Sequence, residues 1–90
     1  MNYQQITNIY REIGRTYREY GADQVVLLKS QASLENEKEL SLEIAVDGAV
    51  DIHELQKISR QCWPAVVVEL LDLNENPNLI TEIVEDGILL

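Results

Sequence analysis

The stretch Val25 to Val46, VVLLKSQASLENEKELSLEIAV, limits what this chain can fold into more than any other. It holds two apolar segments of different period with a polar interval between them. Val25 to Leu28 is aliphatic and β-branched without a polar break, which predicts a strand from about Gln24 to Leu28, buried on both faces. Leu40 to Val46 alternates instead, with Leu40, Leu42, Ile44 and Val46 on one face and Ser41, Glu43 and Ala45 on the other. In the polar interval, Ser30 to Leu34 is expected to begin a short helix with Ser30 as its N-cap, a geometry whose free N–H groups suit phosphate. The cap alone is a sufficient structural reason for the serine. Any chemistry is expected where Ser30, Ser41 and Glu43 converge.

The rest of the chain supplies layers for these strands. Residues 2 to 20 are expected to form an amphipathic helix, because Tyr3, Ile6, Tyr10, Ile13, Tyr17 and Tyr20 recur at helical spacing. Gly14 beside that stripe allows another element to come close. Arg11, Arg15 and Arg18 form a neighbouring stripe, either a solvated flank or a patch for an anionic partner. Gly21 fits the helix end. A second helix is expected over Val50 to Cys62, with Asp51 as N-cap, Glu54 three residues on, and Val50, Leu55, Ile58 and Cys62 as core positions. His53 falls near its start and is expected to be exposed. Trp63-Pro64 ends it, and Ala65 to Leu71 predicts a third strand. Glu69 inside that apolar run is either at an exposed edge or end, or buried with a partner or metal. Asn76 as cap with Pro77 at the first position predicts a helix to Glu85 that stops before Gly87, and Ile88 to Leu90 packs back, as a strand. The expected fold is α/β: a small mixed β-sheet with helices packed on it, in the order helix, strand, short helix, strand, helix, strand, helix.

Several of these residues resemble a motif. A strand ending in Lys29-Ser30, a polar interval, then Ser41-Leu42-Glu43 on the next strand and Glu69 on a later one is similar to the minimal nucleotidyltransferase domain of the DNA polymerase beta-like superfamily. There the first strand ends in Gly-Ser, the second carries Asp-x-Asp, and a third carboxylate follows. Tyr20-Gly21-Ala22 before the first strand, and Asn76-Pro77 through Gly87 near the end, also resemble the family, so the likeness runs along nearly the whole chain. It implies a nucleotidyltransferase-like fold, a nucleotide-binding role for Lys29 and Ser30, a magnesium site at Ser41, Glu43 and Glu69, and catalysis through Glu43 and Glu69 if the enzyme is active. The sequence departs from the motif at Lys29 in place of glycine, at Ser41 in place of the first aspartate, and at Gln31 and Ser33 where basic residues are common. Magnesium prefers hard oxygen ligands, and two metals in register need a bridging acid that Ser41 does not supply.

Three functions are therefore expected. The first is a nucleotidyltransferase-like pseudoenzyme, silent or much weakened, that acts by binding a protein. The family resemblance implies a helical HEPN-type partner, in a toxin–antitoxin pair, or a homo-oligomer. The second is an active Mg2+-dependent transferase with an altered carboxylate site that takes a nucleoside triphosphate. The third is a small α/β interaction domain with no nucleotide role. Ninety residues give a single domain, 1–90, and a hydrophobic content of 46% supports a core. Sixteen acids against seven bases, a net charge of −9, disfavour general nucleic-acid binding and anionic membranes and suit a basic partner. Cys62 is the single cysteine, so neither an internal disulfide nor a cysteine-based zinc site is expected. Met1 to Gln5 carries no signal-peptide pattern and no run has the length of a membrane span, so a cytoplasmic location is the expectation.

Overall fold

The computed structural model describes residues 2–32 and 40–90. Helix α1, Tyr3–Glu19, starts on a reciprocal cap: the Asn2 side chain accepts the Gln5 N–H, and the Gln5 side chain accepts the Asn2 N–H. It ends at Tyr20 and Gly21, whose φ of +107° disfavours a side chain. Strands β1 (Ala22–Ala32) and β2 (Leu40–Gly48) follow, then α2 (Ile52–Cys62), β3 (Val66–Asp72), α3 (Leu79–Asp86) and β4 (Ile88–Leu89). The sheet order is β3-β2-β1-β4, with β1 antiparallel to both β2 and β4. β2 and β3 run parallel and are joined by α2, since a parallel pair needs a crossover longer than any tight turn. The domain is α/β, a small mixed sheet with helices packed on it.

The alternation of β2 sets the layers. Leu40, Leu42, Ile44 and Val46 are buried on the inner face, where Ile13 and Tyr17 of α1, Leu55 of α2, Val25 of β1 and Val66 of β3 join them in one core. α3 packs on β1. It lies over part of the outer face, where Val26 and Ala45 are also buried, and Gly87 approaches so closely that an added Cβ would lie 2.8 Å from Val26 Cγ1. Val25, Val26 and Leu27 are thus buried on both faces of the sheet, as the unbroken apolar run predicts. Gly14 has its own reason to be glycine: a Cβ there would meet the Leu90 main chain at 2.9 Å.

Several expectations are corrected. β1 runs on through Ala32, so Ser30 is a strand residue and not a helix N-cap, because the antiparallel ladder to β2 continues to the pair Ala32 and Leu40. Positions 33 and 34 of the expected short helix, and the acids Glu35, Glu37 and Glu39, lie outside the described residues. Cys62 is exposed, since it falls in the last turn of α2 and Trp63 takes the buried place beyond it. α3 begins at Leu79 with Asn78 at the cap position. Asn76 instead donates its side-chain amide to the Asp72 carbonyl, and the Pro77 carbonyl accepts the Ile80 N–H. Asp51 caps α2 as expected, accepting the N–H groups of His53 and Glu54.

Candidate functional site

One irregularity in β1 decides which side chains meet. Leu27 pairs with Ile44, and Lys29, not Leu28, pairs with Glu43, so Leu28 is an inserted residue in the ladder. Just before it, Val25 and Leu27 point inward with Val46 and Ile44. After it the parity reverses, and Ser30 shares the inner face with its partner Leu42, while Lys29 and Gln31 share the outer face with Glu43 and Ser41. β3 continues these rows, because Glu43 pairs with Glu69 and Ser41 with Val67. The outer face therefore carries one cross-strand row of Lys29, Glu43 and Glu69 and a second of Gln31, Ser41 and Val67. Both lie beyond the row of Val26, Ala45 and Leu71, at whose β1 end α3 packs.

The structure thus brings together four of the five predicted site residues and separates the fifth. Ser30 is on the opposite face, where the Tyr10 hydroxyl of α1 lies 2.5 Å from its Oγ. That bond accounts for the serine without a ligand. Lys29, Ser41, Glu43 and Glu69 line a shallow hollow of about 240 Å³ together with Gln31 and Val67. Lys29 Nζ lies 3.9 Å from Glu43 Oε2, at the outer limit of an ion pair, and the lysine side chain is 76% exposed against 24% for the glutamate. Glu69 is exposed on the edge strand β3, so its carboxylate needs no burying partner. Glu43 and Glu69 sit on adjacent strands, about 4.8 Å apart at the backbone.

As a magnesium site the set is incomplete. It offers two carboxylates and a neutral hydroxyl, and the Lys29 ammonium already draws on one of the carboxylates. Among the described residues there is no group of three or more His, Cys, Asp or Glu arranged to hold a metal ion. The donor set does not fit a two-metal centre, which needs a carboxylate that bridges both ions.

Two other features lie apart from this hollow. Arg11, Arg15 and Arg18 are exposed on α1, which packs on the inner face, so the basic stripe and the Glu43–Glu69 row occupy opposite sides of the sheet. A larger hollow, about 480 Å³, lies between the start of α2 and the end of β3 and includes Asp51, His53, Asp72 and Glu75. Its aspartates are already used by the backbone: Asp51 caps α2, and Asp72 Oδ1 accepts the Asn74 N–H at 2.9 Å. His53 is exposed there, as expected.

Two residues of consequence escaped the sequence reading. Val67, 58% exposed, shares the outward parity of Glu69, and that parity was the available signal within the apolar run. Gln56 of α2 donates its side-chain amide to the Val68 carbonyl at 2.7 Å, a contact between elements that no local pattern announces. Comparison of the chain with protein-family models, with curated proteins and with solved structures returned no match. No helix among the described residues is long and apolar enough to cross a membrane.

Proposed function

We propose that this chain acts by binding a protein partner through the uncovered part of its sheet, as a nucleotidyltransferase-like domain whose chemistry is silent or much weakened. The observation that carries this reading is the makeup of the outer-face row. Glu43 and Glu69 stand side by side, Lys29 leans on Glu43, and Ser41 offers only a hydroxyl where a third acid is needed. A small, shallow hollow of about 240 Å³ beside an exposed valine suits contact with another protein better than enclosure of a triphosphate. The family resemblance makes a helical HEPN-type protein the first partner to try, this chain serving as its antitoxin.

Thermal unfolding with and without Mg2+ and each nucleoside triphosphate tests the reading. A nucleotide present at about one hundred times its Kd stabilises the fold by about 2.7 kcal/mol, a shift of several degrees. The expected result is no shift with any combination. Glu69→Gln is expected to be neutral or stabilising by a few tenths of a kcal/mol, because it removes a like-charge neighbour of Glu43. A rise in midpoint that needs both Mg2+ and one nucleotide, and that Glu43→Gln abolishes, would replace this reading with a working metal-dependent transferase.

A further inference from the structure

We infer that the exposed outer-face patch around Glu43, Val67 and Glu69 takes a basic, arginine-bearing segment of the partner, with a guanidinium seated between Glu43 and Glu69 and its stem lying on Val67. The inference rests on the binding reading above and names the chemistry of what is bound. The two carboxylates belong to adjacent strands in register, the spacing a planar fork of N–H donors can span. Val67 stands two residues before Glu69 on the same face and supplies an apolar shelf, which suits a long methylene stem carrying a charged tip. A net charge of −9 draws cationic segments toward the domain.

Lys29 already shows how a cation sits there. Its ammonium reaches Glu43 at 3.9 Å from a side chain that is mostly in solvent, so it is a loosely held internal competitor and not a fixed part of the site. This gives the inference a sign that separates it from its rival. If the face binds a cation, removing Lys29 strengthens binding. If Lys29 serves a phosphate, as the nucleotidyltransferase motif implies, removing it weakens binding of the anion.

The experiment titrates the full chain with a blocked hexa-arginine peptide at low salt, with hexa-lysine and hexa-glutamate as comparisons, following backbone amide shifts and Kd. Thermal unfolding of each variant verifies that it is folded. Shifts are expected along Lys29, Gln31, Ser41, Glu43, Val67 and Glu69, with hexa-arginine bound tighter than hexa-lysine and hexa-glutamate not bound. Glu43→Gln with Glu69→Gln weakens binding about tenfold, and Lys29→Ala tightens it about twofold to threefold. The pair Glu19→Gln and Glu75→Gln makes the same charge change at exposed positions outside the hollow and leaves Kd nearly unchanged. Absence of binding, equal loss in both double variants, or weaker binding by Lys29→Ala would overturn the inference. Binding that maps to another acidic surface overturns this site while leaving the partner-binding reading intact. That broader reading falls on a different result, the Mg2+- and nucleotide-dependent stabilisation described above.

Discussion

Tyr17 and Ser59 form a buried side-chain contact between polar groups that links α1 to α2. The Tyr17 hydroxyl bonds the Ser59 hydroxyl, and Ser59 donates to the Leu55 carbonyl at 2.7 Å, so one proton chain ends on backbone. The Tyr17 ring packs edge-on against Trp63 with centroids 6.4 Å apart, and the Trp63 indole N–H donates to Glu12 at 2.8 Å. Burial pushes the Tyr17 pKa up, because the phenolate would be stripped of water, and the Ser59 bond offsets only part of this. The sign follows from linkage. The unfolded tyrosine loses its proton near pH 10 while the folded one keeps it, so stability is intact below that pH and declines as pH rises beyond it. Tyr17→Phe is expected to cost about 1 kcal/mol at neutral pH, measured by urea unfolding. The variant should also lose less stability than the parent between about pH 9 and pH 11. An equal alkaline decline in both would mean that Tyr17 does not carry the effect.

At the scale of elements, β3 is an edge strand, and its free side is a template for unwanted pairing. Along a strand, successive backbone groups point to opposite sides. Ala65 and Leu73 bond toward β2, so Val66, Val68 and Leu70 face the free edge. Trp63 and Gln56 occupy part of that edge: the Val66 N–H goes to the Trp63 carbonyl, and the Val68 carbonyl accepts the Gln56 amide. Gln56→Ala is expected to destabilise by about 1 kcal/mol and to raise self-association, seen as a larger concentration-dependent sedimentation coefficient. A variant that stays monomeric at high concentration would show that the remaining charge and twist suffice. The elements themselves were largely legible. Alternation gave β2 and its buried face, the apolar run gave the two-sided burial of Val25 to Leu27, and tyrosine and isoleucine spacing gave α1. The polar half of β1 was not, because Lys29, Ser30 and Gln31 have no strand pattern of their own and are held by pairing with β2.

For the whole molecule, charge is the dominant uncommitted quantity. A net charge of −9 sits on a domain in which Lys29–Glu43 is the single ion pair among the described residues. Self-repulsion then outweighs local attraction, and salt relieves it. Raising NaCl from about 20 mM to about 200 mM is expected to lift the unfolding midpoint by about 2–4 °C. A fall would mean that ion pairs contribute more to stability than the repulsion subtracts. The candidate site was legible in part: Ser41, Glu43 and Glu69 do share a face, since their parity along β2 and β3 was readable. Ser30 was misplaced because a ladder irregularity leaves no trace in composition. That irregularity at Leu28 has a consequence for how this surface changes over generations. Exchanging any one residue after it alters one side chain. Losing the single codon for Leu28 would remove only the unpaired residue and leave the same partners opposite each other, Lys29 with Glu43, Ser30 with Leu42 and Gln31 with Ser41. The surface is thus robust to spelling errors and, at Leu28, to a dropped letter as well.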